Sequence, residues 1–192
     1  MKASIIGADN QRPRCDCALY ENVNRGILSV SGEYRIDDEQ LDQMLKDLNH
    51  RVWEVRRDAA EKLGEARDVR SVLPLVRVLQ DGVGAVRFAA AESLGKLGDQ
   101  SAVPALMALL DNNAFGSHGP VIEALMELRA QEAIPYFIRF LRDDDARIRG
   151  LAANALMQLT RQFISFKAKG TPEEREEAVL QWEAWWEKIG NQ

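Results

Sequence analysis

Two cysteines, Cys15 and Cys17, and two histidines, His50 and His118, are all that this chain of 192 residues has of those types. Two cysteines one residue apart give no disulfide framework. A closed zinc site needs four ligands at suitable spacing, and both histidines lie far from the cysteine pair, so no metal is expected. There is no His-Glu dipeptide, and Gly82-Val83-Gly84 lacks the rest of any phosphate-loop motif. No serine or cysteine sits in a nucleophile-elbow context, and the carboxylates are scattered. These absences point away from an enzyme and call for no cofactor. No stretch approaches the ~20 apolar residues that span a bilayer. Between Met1 and Asn10 only the pair Ile5-Ile6 resembles an apolar core, too little for a secretory signal, so a cytoplasmic, non-membrane protein is expected. The net charge is −5, against the broad basic face that nucleic acid requires.

What is present is a period. Hydrophobic residues make up 46% of the chain and charged ones 29%, a globular mixture, and the apolar residues recur every 31 positions. Leu48, Leu79, Leu110 and Leu141 form one series, and Leu63, Leu94, Leu125 and Leu156 another. The others are Leu45, Val76, Met107, Ile138; Leu41, Val72, Val103, Ile134; and Ala60, Ala91, Ile122, Ala153. Within a copy the spacing is helical. Leu41, Met44, Leu45 and Leu48 make one stripe, and Val55, Ala59, Ala60 and Leu63 a second. The polar break Asn49-His50-Arg51 separates them, so the unit is helix, turn, helix. Gly64, Gly95 and Gly98 read as punctuation between repeats, and Pro74, Pro104 and Pro135 as helix openings. Alanines such as Ala89-Ala90-Ala91 let second helices approach closely, and several stacked pairs bury what one pair cannot.

The expected class is therefore all-α, an α-α superhelix of four 31-residue hairpins over residues 37–161. Residues 1–36 lack the period; Ile27-Leu28-Ser29-Val30 and Glu33-Tyr34-Arg35-Ile36 suit a short hairpin around Ser31-Gly32 or a tail packed on the first repeat. Asp37 or Asp38 would cap the first helix. Residues 162–192 hold a linker and a helix opened by Thr171-Pro172-Glu173-Glu174. Its stripe of Val179, Trp182, Trp186 and Ile189 suits a cap for the open end of the stack, with Trp185 off the stripe and nearer the surface. The run Asp143-Asp144-Asp145 occupies an inter-helix turn, where aspartates cap the next helix.

The segments Val55-Arg56-Arg57-Asp58-Ala59-Ala60-Glu61-Lys62-Leu63-Gly64 and Val86-Arg87-Phe88-Ala89-Ala90-Ala91-Glu92-Ser93-Leu94-Gly95 resemble the second helix of HEAT repeats. More narrowly, they are similar to the short bacterial and archaeal type also found in phycobilin lyases. The resemblance covers Asp37 to about Arg161. The third copy departs from it, with Ser117-His118 where Val-Arg is expected. HEAT-like hydroxylases use His-Glu dipeptides, absent here. Arg56, Arg87 and Arg149 could read phosphates as in HEAT-like DNA-repair glycosylases, or pair with turn acids such as Asp81 and Asp143; the flanking Glu61, Glu92 and Glu123 oppose a polyanion.

The resemblance places second helices on the concave side. Their outward positions are Trp53, Glu54, Arg57, Asp58 and Glu61, then Gly84, Ala85, Phe88, Ala89 and Glu92, then Phe115, Gly116, Gly119, Pro120 and Glu123, then Ala146, Arg147, Gly150, Leu151 and Asn154; His118 joins the irregular Phe115–Pro120 stretch. An apolar stripe of Trp53, Phe88, Phe115, Pro120 and Leu151 with an acidic edge suits a protein contact, unless those residues tuck between repeats. The leading expectation is a non-catalytic scaffold that binds a protein partner along this face. The alternative implied by the resemblance is a phycobilin-lyase-like protein that positions a chromophore and its acceptor. Nucleic-acid binding ranks last.

Overall fold

The computed structural model describes residues 36–111 and 118–190. The expected hairpin around Ser31-Gly32, the cysteine pair and Phe115 lie outside the described residues. Residues 1–40 and residues 41–192 form two units. In the first, Asp37 is the cap of the opening helix: its Oδ1 accepts from the Gln40 amide (2.7 Å), while its own amide donates to Gln40 Oε1 (3.3 Å).

Nine helices are present among the described residues, and no strand. First helices are α1 (Asp38–Asp47), α3 (Val72–Val78), α5 (Val103–Leu110) and α7 (Ile134–Phe140). Second helices are α2 (Trp53–Ala66), α4 (Gly84–Leu97), α6 (Gly119–Glu127) and α8 (Ala146–Thr160), and α9 (Pro172–Gly190) follows. Second helices pack on one another, α2 on α4, α4 on α6 and α6 on α8, and α3, α5 and α7 each pair with the second helix of their own repeat. Successive first helices touch far less. The described residues of the second unit form an all-α, HEAT-like solenoid.

Four of the five periodic series line its core. Leu48, Leu79, Leu110 and Leu141 are buried, as are Leu63, Leu94, Leu125 and Leu156, the series from Leu41 and the series from Ala60. The fifth behaves differently. Leu45, Val76 and Met107 are half-buried, and only Ile138 is buried, because α9 packs on α7 in the last repeat.

Gly64 and Gly95 do not end helices, contrary to their reading as punctuation. Both lie inside them, at crossings. A Cβ on Gly64 would stand 2.6 Å from Ser93 Cβ and 2.8 Å from Ser93 Cα; one on Gly95 would stand 3.0 Å from Ala124 Cα. Ser93 adds a buried bond across the first crossing, Oγ donating to Ala60 O (2.8 Å). Gly98 is the true terminator, at φ 73°, where a residue without Cβ enters the left-handed region freely. Arg67, Arg129 and Arg161 take the same conformation at their helix ends.

The repeat's turn is built by two side chains. The residue at the start of the turn accepts from the amide two positions on: His50 Nδ1 from Val52 (3.1 Å), Asp81 Oδ1 from Val83 (2.8 Å), Asp143 Oδ1 from Asp145 (2.8 Å). Its carbonyl accepts from an arginine six residues later, Arg56 to His50 O (2.7 Å), Arg87 to Asp81 O (2.8 Å) and Arg149 to Asp143 O (2.7 Å). Asp145 then caps α8 by accepting from the Arg147 amide (2.8 Å).

The closing helix α9 starts with a capping box, Thr171 Oγ1 accepting from the Glu174 amide (3.3 Å) and Glu174 Oε2 accepting from the Thr171 amide (3.0 Å). Trp182, Val179 and Ala178 are buried. Trp186 is half-buried, while Ile189, expected on the inner stripe, is exposed. Trp185 is half-buried and sits edge-on to Trp182 at 5.6 Å. Arg142 of the last repeat ties α9 down through Glu176 (2.6 Å) and Glu183 (2.6 Å).

Candidate functional site: the face of the second helices

An α-helix advances about 100° per residue, and this sorts the side chains of α2. Ala60 and Gly64 point at α4. Trp53 falls between them on the same meridian and is half-buried. Glu54 and Glu61 point away from all neighbours and are exposed. The same registers recur on α4, α6 and α8. Glu92, Glu123 and Arg147 are exposed, and Phe88, Pro120, Leu151 and Asn154 are half-buried. Ala89 and Gly119, counted as outward in the sequence, are buried instead.

The polar groups on this face form short-range pairs. Arg57 stacks over Trp53 (5.6 Å to the ring centre), bonds Asp58 (2.6 Å) and approaches Glu61 (3.5 Å). Glu92 pairs with Lys96 (2.7 Å), and this raises the lysine's pKa above the ordinary value. Asn154 Nδ2 lies 4.0 Å from Met126 Sδ on α6. Arg147 pairs with Asp145 (2.8 Å), its side chain 88% exposed. Exposed pairs of this kind hold little energy, about 0–1 kcal/mol each, so they leave the side chains available to a partner. Sequence reasoning stopped one turn short on this row. Glu65 and Glu127, four residues past Glu61 and Glu123, are exposed and continue it; the i+4 step alone would have found them.

His118 does not join the face. It is the N-cap of α6, and its ring packs on Phe140 of α7 at 4.8 Å. It borders a pocket of about 470 Å³ shared with Asp111, Arg139, Arg142 and Asp143. It occupies the register of Arg56, Arg87 and Arg149. Those arginines are directed into their own turns, and Arg56 is further held bidentately by Asp81 of the next repeat (2.6 and 3.0 Å). The guanidinium keeps the Asp81 carboxyl below its usual pKa, with help from the Val83 amide. That geometry is a structural clamp.

Burial lowers the His118 pKa below its ordinary value near 6.5; Asp143 opposes this and Arg139 adds to it. In the window below that value the unfolded chain takes up the proton before the folded one, so stability falls as the pH drops through about 6.5 and levels off below the depressed native value. The His118→Gln variant is expected to flatten the melting-temperature profile between neutral and mildly acidic pH. An unchanged profile would assign the pH dependence to other groups.

Stacked helical hairpins of this geometry define a repeat solenoid of the HEAT class. A family model of HEAT repeats matches residues 41–116, and the chain carries HEAT repeats there. No curated protein matches the sequence. Among solved structures, the chain is similar to one in the complex of CpcE and CpcF of phycocyanin lyase from Nostoc sp. PCC7120. The two are 26% identical, the match covers 84% of this chain and 71% of that one, and the TM-score is 0.60. Among the described residues no helix is long and apolar enough to cross a membrane.

Proposed function

We propose that this chain is a non-catalytic scaffold that holds a partner protein along the concave face formed by its second helices. One observation carries the reading. The second helices spend their small side chains on each other, and what remains outward is a mixed row: Trp53, Phe88, Pro120 and Leu151 half-buried, with Glu54, Glu61, Glu92, Glu123 and Arg147 beside them. Aromatic anchors edged by polar groups are the usual makeup of an interface. Arg57, Asp58 and Asn154 belong to the same surface; Phe115 and His118 were read as part of it from the sequence alone.

The test is partner capture from native lysate with the wild type and a Phe88→Glu/Leu151→Glu variant, read by mass spectrometry after both show equal helicity. A partner lost only with the variant is the expected result. Retention of the same partners by both, or by neither, would move the site elsewhere.

A second reading, a lyase-like role in positioning a bilin and its acceptor protein, is favoured by the likeness to a chain of the phycocyanin lyase complex. It predicts that the purified protein shifts the visible absorption of an added bilin. An unchanged spectrum argues against it.

A further inference from the structure

We infer that the linker between α8 and α9 is a strand-addition site: residues 162–166 pair, main chain to main chain, with an extended segment of another protein whose apolar centre is flanked by acidic residues. This site lies apart from the second-helix face and does not depend on the scaffold reading.

The linker is pinned at two places. The Arg161 amide donates to Met157 O (3.0 Å) at the end of α8. The Ala168 carbonyl accepts from Arg149 Nε (2.8 Å) in the first turn of the same helix. A Cβ on Gly150 would stand 3.9 Å from Ala168 Cβ. From Gly150 to Arg161 the helix rises about 16 Å, at about 1.5 Å per residue. The chain must return that distance between Arg161 and Ala168. A helical return would cover only about 10 Å, so the linker runs extended and antiparallel to α8, well within the reach of an extended chain. Exposure then alternates with a period of two. Phe163, Ser165 and Lys167 are exposed, while Ile164, Phe166 and Ala168 are half-buried. That is the pattern of a strand with one face on the protein and one in solvent.

Phe163, Ile164 and Phe166 are strand-favouring side chains, and residues 162–166 contain neither proline nor glycine. No described residue bonds the main chain of residues 163–166. Their N–H and C=O groups are open to an added strand, the mode by which extended peptides join a free edge. A helical partner cannot use them, because its own main chain is bonded internally. Phe163 is 85% exposed, the most exposed large hydrophobic among the described residues, and a cross-strand neighbour would cover it.

Charge chooses among extended partners. Residues 161–169 include Arg161, Lys167 and Lys169 and no acid. Glu174 holds Lys167 (2.8 Å), whereas Arg161 and Lys169 are exposed and form no ion pair with a described residue. A second copy of the linker fits poorly. Antiparallel pairing centred on Ile164 or Ser165 sets Arg161 opposite Lys167 or Lys169 of the other copy, and like charges directly opposite destabilise a pair. Acidic residues flanking an apolar centre match the same positions.

The probe is a short synthetic peptide of alternating valine and threonine with glutamates at both ends, followed by fluorescence anisotropy on the full chain. Two isomers are N-methylated at alternate residues, one along each edge. One isomer is expected to bind like the unmodified peptide and the other at least about tenfold more weakly, because an added strand turns only alternate N–H groups toward its neighbour. The same peptide with lysine ends is expected to bind about tenfold more weakly. Phe163→Ser, a change at an exposed side chain, is expected to weaken binding several-fold with an unchanged melting curve. No binding of the unmodified peptide, or isomers that bind alike, would overturn main-chain pairing. Equal affinity for lysine and glutamate ends would overturn the acidic partner. A wild type that dimerises in sedimentation while Phe163→Ser stays monomeric would give the site to a second copy instead. Phe88→Glu is expected to bind the peptide like the wild type; a loss there would place the peptide on the second-helix face and overturn the linker site.

Discussion

Replacing Trp182 with alanine is expected to destabilise the protein by about 3–5 kcal/mol, the range for truncating a fully buried tryptophan. The repeat array ends in apolar surface that a fifth repeat would cover. Here α9 does that work. Trp182 and Val179 are fully buried, and Ile138, whose counterparts Leu45, Val76 and Met107 are half-buried, is buried beneath the cap. Arg142 adds ion pairs to Glu176 and Glu183, but its side chain is 41% exposed, so most of the docking energy must come from apolar burial. Thermal unfolding followed by circular dichroism checks the point, with an expected fall in midpoint of roughly 10 °C for a chain of this size. The contrasting variant is Ile189→Ala, 43% exposed on the same helix, where a change within about 0.5 kcal/mol is expected. Equal effects at both positions would show that α9 is only loosely docked.

Gly64→Val is expected to cost about 3 kcal/mol or more. Helix propensity alone favours replacing a mid-helix glycine, since alanine there is better by about 1 kcal/mol. Packing reverses the sign. Any Cβ at Gly64 meets the Cβ and Cα of Ser93, and the latter is backbone that cannot swing away. Relieving the overlap means parting α2 from α4, which also breaks the buried bond from Ser93 Oγ to Ala60 O. Overpacking of this sort costs about 1–3 kcal/mol for small additions, and a β-branched side chain adds bulk at the contact. Gly82→Ala is the comparison, because nothing lies within 4 Å of its added methyl. Denaturant melts of the two variants should differ clearly. A Gly64→Val protein as stable as Gly82→Ala would mean that the crossing gives way easily.

Much of the candidate face was legible in the sequence for a physical reason. A constant period fixes the register of every helix, so Glu61, Glu92 and Glu123 could be aligned, and all three prove outward-facing. The period said less about flanks. Ala89 and Gly119 share the registers of Asp58 and Arg57. Arg57 and Asp58 on α2, and Phe88 and Pro120 in the same registers on α4 and α6, are half-buried, whereas the small residues Ala89 and Gly119 are buried. His118 was grouped with the face by its neighbours in sequence, yet its ring turns to Phe140, because it holds the register of the clamp arginines and lacks their length.

The sequence by itself determined the all-helical class, the period, the four buried series and the cap at Thr171, since these depend on local spacing and local hydrogen bonds. Only the tertiary structure decided that Gly64 and Gly95 are crossing points and that the ladder arginines close their own turns. Tertiary packing also exposed Ile189 while burying Trp182. Each of those outcomes depends on how near another helix comes, and that distance is set by the packing of the whole stack.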